Sequence, residues 1–263
     1  MRIAMAQINS SDDPTANLVV VADVAAQAAA DGADLVVFPE ATMCRFGVPL
    51  GPVAEPLDGP WATHVSQIAV ERRITIIAGM FRPADDGRVF NTLLIAHPDG
   101  STVSYDKIHL YDAFGFRESR TVAAGDKPVV VDVAGTVVGV ATCYDIRFPE
   151  QFKELARQGA QLIVVPTSWA DGPGKLEQWR LLTAARALDS TSYILAAGQS
   201  RPGGNAEAGS PSGPTGIGHS TIVDPNGVRV AEAGYEDEIL YADIDPQEVA
   251  KTRRSLPVLE LTD

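Results

Sequence analysis

Three side chains able to do acid–base or nucleophilic chemistry stand where the sequence passes from a strand into a turn. Cys143 follows the apolar run 136–142 and precedes Tyr144-Asp145-Ile146-Arg147-Phe148-Pro149-Glu150, in which Pro149 fits the first turn of a helix. A thiol at such a strand-to-helix elbow faces outward-pointing backbone N–H groups, and the positive end of the helix favours its thiolate. Nucleophile activation and an oxyanion site then arise from one geometry. A small buried core cysteine is the other reading that this context leaves open. Glu40 ends Leu35-Val36-Val37-Phe38-Pro39-Glu40, putting a carboxylate just beyond a proline at the strand end where ligand crevices open. Such a group is costly to bury unless it is used or paired. Lys107 likewise closes a strand, within Tyr105-Asp106-Lys107-Ile108-His109-Leu110. Taken singly, Glu40 and Lys107 also read as strand-end charges in water.

The elements that must hold these residues alternate between strand and helix. A buried strand is predicted over 2–8; Asp13-Pro14 then supplies an N-cap and first-turn proline for a helix that runs to 31 and stops at Gly32. Strand 35–38, helix 59–73 and strands 75–80, 90–97 and 102–106 follow, with a turn at Pro98-Asp99-Gly100. Two strands flank Ala134-Gly135, and helices over 148–158 and 175–191 enclose a strand at 162–165. Strands at 193–198, 220–223, 228–233 and 239–243 finish the sheet. The apolar spacing of Phe148, Phe152, Leu155 and Ala156 suits a core or a subunit interface equally. Segment 203–218, rich in glycine, proline and serine, reads as a mobile surface loop in preference to a binding lid.

The chain also resembles itself. Gly32-Ala33-Asp34-Leu35-Val36-Val37-Phe38-Pro39 matches Gly159-Ala160-Gln161-Leu162-Ile163-Val164-Val165-Pro166, and the hairpin glycines Gly100 and Gly227 keep the same offset. Two similar half-units are implied, and they suit two sheets packed face to face with helices outside. At 263 residues, 45% of them hydrophobic, the chain has the material for one large α/β domain. Its 21 basic and 34 acidic residues leave a net charge of −13, a field that repels phosphate backbones and anionic lipid. Neither nucleic acid nor a membrane surface is an expected partner.

Two cysteines, Cys44 and Cys143, are too few for a disulfide framework, and the opening Met1-Arg2-Ile3-Ala4-Met5-Ala6-Gln7 does not form a signal peptide. No stretch reaches the roughly 18 apolar residues that a spanning helix needs. A cytoplasmic protein with reduced thiols is the expectation, and Cys44 fits a packed structural residue better than a redox partner of Cys143. His64, His97, His109 and His219 lack metal-ligand spacing, so no metal or other cofactor is expected. Gly172-Pro173-Gly174-Lys175 is followed by Leu176 where a phosphate loop needs serine or threonine. Gly209-Ser210-Pro211-Ser212-Gly213 has proline at the place of a nucleophilic serine, which excludes the serine-hydrolase elbow.

The segments Phe38-Pro39-Glu40, Tyr105-Asp106-Lys107-Ile108-His109-Leu110 and Cys143-Tyr144-Asp145-Ile146-Arg147-Phe148-Pro149-Glu150, in that order, resemble the signatures of the nitrilase superfamily of carbon–nitrogen hydrolases. Arg117-Glu118-Ser119 and Gly218-His219-Ser220 are similar to further family segments. The resemblance implies a four-layer αββα sandwich, with Glu40 as general base, Lys107 as the cation beside the tetrahedral oxyanion, Cys143 as nucleophile and Glu118 as a second carboxylate. The chemistry needs such a set, because a free thiol is only a few per cent thiolate at neutral pH and a carboxylate must accept its proton. The ammonium and the Tyr144 N–H then stabilise the charge on the carbonyl oxygen.

The elbow string looks most like the small-amidase branch that includes omega-amidases and deaminated glutathione amidases. That implies a small amide substrate that also carries a carboxylate, with N-carbamoyl amino acid hydrolysis, nitrile hydrolysis, acyl transfer to an amine and a non-catalytic sandwich as alternatives. An anion holder is then wanted near Cys143. Arg147 fits that role with its planar fork, or it pairs with Asp145 or Glu150 instead. The loops around Tyr111 and Trp169 are the other places to seek it. Segment 169–179 departs from the shorter pattern common among such relatives, and a homodimer or larger homo-oligomer is expected by the resemblance.

Overall fold

A computed structural model of the chain describes residues 1–113 and 115–260; Phe114 and the last three residues lie outside them. The first half runs β1 (Arg2–Gln7), α1 (Pro14–Ala30), β2 (Leu35–Val37), α2 (Pro60–Arg72), β3 (Thr75–Pro83), β4 (Val89–Ala96), β5 (Thr102–Asp106) and the short β6 (Val122–Ala123). The second half runs β7 (Val129–Val133), β8 (Thr136–Val140), α3 (Pro149–Arg157), β9 (Leu162–Val164), α4 (Lys175–Ser190), β10 (Tyr193–Ala196), β11 (Thr221–Val223), β12 (Arg229–Glu232), β13 (Glu238–Asp243) and α5 (Pro246–Ser255).

The repeat is expressed in strand order and in strand polarity. One sheet is ordered β13-β1-β2-β3-β4-β5, with β6 paired to β4, and the other is ordered β12-β11-β10-β9-β8-β7. In the first, β1, β2 and β3 are parallel and β4 and β5 return antiparallel. In the second, β8, β9 and β10 are parallel and β11 and β12 return antiparallel. The local causes repeat too: both halves carry a helix that ends ahead of a positive-φ glycine, Gly32 and Gly159, and a hairpin glycine, Gly100 and Gly227. The N-cap expected at Asp13 is present, its carboxylate accepting from the Thr15 and Ala16 amides at 2.8 and 3.4 Å.

Period-two burial then divides each strand between two cores. Met5, Val37, Ile77, Leu93, Val138, Val164 and Leu195 fill the space between the sheets. Their neighbours Ala4, Val36, Ile76 and Leu94 face α1 and α2, while Ile163 and Ile194 face the outer helices of the second half. The result is the αββα sandwich. Two features differ from the sequence reading. β13 pairs antiparallel with β1, a partnership spanning the chain that no local signal announced, and α5, absent from the sequence reading, follows it from an N-cap at Asp245 that repeats the Asp13-Pro14 pattern. Of the stripe Phe148, Phe152, Leu155 and Ala156, the last three are buried and serve the core, while Phe148 is half-buried and stacks on His109. Among the described residues no helix is long and apolar enough to cross a membrane.

Candidate active site

The loop after β2 turns Glu40 inward because β3 leaves room for it. The Phe38 amide continues the ladder by donating to the Ile77 carbonyl, and Gly79 binds on both sides, its N–H to the Pro39 carbonyl at 3.2 Å and its carbonyl to the Met43 amide at 2.8 Å. A β-carbon on Gly79 would sit 2.5 Å from the Ala41 nitrogen and 2.8 Å from the Pro39 oxygen, so only glycine permits this approach. Ala41, at φ +60, completes the tight turn. Lys107 stands beyond β5, its backbone N–H donating to the Asn91 carbonyl and its carbonyl accepting from Gly125 N–H. Glu118 opens a 3₁₀ turn, Glu118–Arg120, and accepts from the Tyr111 amide at 2.6 Å.

These side chains meet. The Lys107 ammonium donates to Glu40 Oε1 at 3.0 Å and to both Glu118 oxygens at 3.1 and 3.0 Å, with all three residues buried. Glu40 Oε1 also accepts from the Asn91 side-chain amide at 2.8 Å, and Oε2 accepts from the Ser168 backbone N–H at 2.8 Å. Cys143 begins a 3₁₀ turn, Cys143–Arg147, at φ +45, a left-handed conformation that a non-glycine residue holds only when its surroundings fix it. Its N–H donates to the Pro166 carbonyl at 3.0 Å and its sulfur lies 3.9 Å from the Ser168 carbonyl. Cys143 and Glu40 come from different sheets and are within hydrogen-bonding reach of each other.

Asn91 and Ser168 are contributors that the sequence reading missed. A lone amide inside the apolar strand Val89–Ala96 was the signal for Asn91. The internal repeat was the signal for Ser168, since Pro166 is the counterpart of Pro39.

The electrostatics of the cluster follow from its burial. Burial, and then the Glu40 carboxylate, push the Cys143 thiol well above its ordinary value, with Lys107 pulling the other way. The Glu40 carboxylate thus opposes, and the Lys107 ammonium favours, the thiolate at this position. Burial also raises the Glu40 carboxyl, opposed by Lys107 and reinforced by Glu118. Burial alone would discharge Lys107, but Glu40 and Glu118 outweigh it and hold its ammonium well above the usual lysine range. A permanent cation therefore stands between two carboxylates, one of which faces the thiol.

A pocket opens onto Cys143, walled by Phe46, Tyr111, Phe116, Tyr144, Trp169 and Pro214. Arg147 lines it as well. It pairs with neither Asp145 nor Glu150: Nη2 donates to the Gln178 side chain at 2.9 Å, and the guanidinium lies over the Trp169 and Tyr144 rings at 5.1 and 5.7 Å. Its Nε is buried without a hydrogen-bond partner. Tyr111 meets the Tyr144 ring edge-on at 5.1 Å, and the Trp169 indole donates to the Lys175 carbonyl.

Much of segment 203–218 lies exposed at the surface, and Pro214 alone of it lines the pocket, but bonds tie it to the site. Buried Arg201 donates to Asp171 Oδ2 at 3.0 Å, Gly209 N–H donates to the same oxygen, and the Ser168 hydroxyl holds the Pro214 carbonyl at 2.6 Å. Those bonds supply the order that a composition of small residues does not suggest.

The carbon–nitrogen hydrolase family model matches residues 2–254, and the chain belongs to that family. It is similar to "Hydrolase Rv0480c" of Mycobacterium tuberculosis, 59% identical across 98% of this chain and 94% of the relative. It is 37% identical to the deaminated glutathione amidase of Escherichia coli O157:H7, across 92% and 90%, and 34% identical to the omega-amidase of Mus musculus, across 98% and 94%. Among solved structures, Saccharomyces cerevisiae Nit3, of the nitrilase superfamily, superposes with a TM-score of 0.83 at 29% identity over 98% of this chain and 94% of that one. An amidase of Nesterenkonia sp. AN1 superposes at 0.80 with 28% identity over 99% and 100%, and in that structure acrylamide is added to the active-site cysteine. The chain is a carbon–nitrogen hydrolase with amidases among its relatives.

Proposed function

We propose that the chain hydrolyses a small carboxylate-bearing amide, of the omega-amide or deaminated-glutathione type, through a thioester on Cys143. The observation that carries this reading is the cluster of thiol, carboxylate and ammonium at the floor of a pocket that also holds an arginine unpaired with any carboxylate among the described residues. As the Cys143 sulfur attacks the amide carbon, its proton passes to Glu40. The carbonyl oxygen takes the negative charge, beside the Lys107 ammonium and the Tyr144 N–H at the start of the turn, where no intrahelical acceptor competes for it. Collapse breaks the C–N bond, and the leaving nitrogen takes the proton from Glu40. Glu40 next accepts a proton from water attacking the thioester, and the released thiolate regains it. Glu118 keeps Lys107 in place and charged while Glu40 changes its proton count. No step needs a metal or another cofactor.

Arg147 holds the remote carboxylate in this reading. Its fork has donors available in the pocket, and a bidentate grip is geometry that lysine cannot copy. Arg147→Lys is expected to raise KM for succinamate about tenfold or more, with kcat less affected, while KM for the neutral amide butyramide stays within about twofold. Steady-state kinetics on the two amides checks this. Equal losses on both would assign Arg147 to shaping the elbow and send the search for the carboxylate holder to the Tyr111 and Trp169 loops.

A homodimer or larger homo-oligomer is part of the proposal, supported by apolar side chains that the fold leaves exposed: Leu181 and Leu188 on α4, and Val228 and Val230 at the neighbouring sheet edge. Light scattering at micromolar concentration should give at least twice the chain mass of 27.8 kDa. A monomer would reject it. A reduced thiol nucleophile suits the cytoplasm, which we propose as its compartment.

A further inference from the structure

The nucleophile and the lysine reach the site from opposite sheets, and one buried carboxylate binds both of the segments that carry them. Asp145 is fully buried in the turn that begins at Cys143. Its Oδ2 accepts from the Thr142 N–H at 2.8 Å, so Cys143 is bracketed between the two ends of this bond. Its other donors come from across the sandwich. The Tyr105 hydroxyl donates to Oδ2 at 2.6 Å, the His109 backbone N–H donates to Oδ1 at 2.9 Å, and His109 Nδ1 lies 2.9 Å from the same oxygen. Tyr105 and His109 stand two residues to either side of Lys107.

The grip extends further, since Gln151 on α3 donates to the Tyr105 hydroxyl at 2.8 Å and the His109 ring stacks on Phe148 at 3.6 Å. No lysine or arginine pairs with Asp145 among the described residues. A carboxylate buried in this way is costly unless hydrogen bonds satisfy it, and here every bond it makes goes to the flanks of Cys143 or Lys107.

We propose that Asp145 is a positioning residue that fixes the separation of Cys143 from Lys107 and holds Cys143 in its left-handed conformation. The proposal rests on the roles given above to Cys143 and Lys107. Displacing a reacting group by about 1 Å costs on the order of 100-fold in rate. Asp145→Asn turns an amide donor toward at least one of the donors that now converge on the carboxylate, and Tyr105→Phe removes one donor to Asp145 on the Lys107 side, together with the acceptor of Gln151 and of the Ile108 N–H, while sparing the Thr142 bond.

Two readouts test it: turnover of succinamate, and the pH profile of Cys143 alkylation by iodoacetamide followed by intact mass. The charged groups that set this profile are Glu40 and Lys107, with the Tyr111 hydroxyl also close by. Asp145→Asn is expected to lower kcat about 100-fold with KM within about threefold, and Tyr105→Phe to lower it about tenfold. In both, the alkylation profile moves to higher pH as Lys107 recedes from the thiol. Unchanged kcat and an unshifted profile in Tyr105→Phe would overturn the proposal, whether or not Asp145→Asn folds, and so would a fall in Tm alone. Activity surviving in Cys143→Ala would instead sink the nucleophile reading, and the alkylation profile would still decide whether Asp145 sets the thiol's surroundings.

Discussion

Replacing Cys143 with alanine is expected to abolish amide hydrolysis, by at least about 10⁴-fold in kcat, and to leave the fold in place. The two halves of that expectation have separate causes. The backbone N–H of residue 143 still donates to the Pro166 carbonyl, and Asp145 still ties the turn, so losing one sulfur removes little packing. The chemistry has no substitute, because Cys44 sits in a different cluster with Ala41 and Phe81, beside the Asp12 carbonyl. Circular dichroism should match the parent. Residual activity above about one per cent, in a preparation free of other hydrolases, would remove Cys143 from the nucleophile's role.

Lys107→Met and Glu40→Gln are expected to cost comparable rate and to differ in stability. Loss of one oxyanion-stabilising group costs about 10²–10³ in kcat, and loss of a general base about 10²–10⁴. In the proposed mechanism both residues act on one transition state, so the double variant should lose far less than the product of the single losses. Stability separates them by charge. Lys107→Met leaves Glu40 and Glu118 buried and facing each other without their cation, a loss on the order of 3–5 kcal/mol. Glu40→Gln leaves Lys107 paired with both oxygens of Glu118, so its Tm should stay close to that of the parent. Thermal unfolding beside steady-state kinetics checks both parts. Multiplicative rate losses would mean that the two residues serve separate steps.

The parts of this molecule legible in the sequence are those written locally. Helix caps such as Asp13-Pro14, hairpin glycines and short apolar strands announce themselves within a few residues, and their repetition disclosed the two halves before any packing was known. The return of β13 to β1 was hidden because it is decided by partners at opposite ends of the chain. α5 carried a readable cap in Asp245-Pro246, but most of its surface is polar and only Val249 and Thr252 are buried.

Among site residues, Glu40, Lys107 and Cys143 showed as chemistry at strand ends, and the resemblance supplied Glu118. Asn91, Ser168 and the clamp at Asp145 act through contacts between sheets, which spacing cannot display.

The most direct measurement is the location of the acyl group during turnover. The enzyme is mixed with saturating succinamate, quenched in acid on the millisecond scale, digested and mapped by mass. The expected result is a succinyl group on the peptide containing Cys143, released by hydroxylamine as a thioester would be and absent in Cys143→Ala. An acyl group on any other residue, or hydroxamate formed just as fast by Cys143→Ala, would contradict the account.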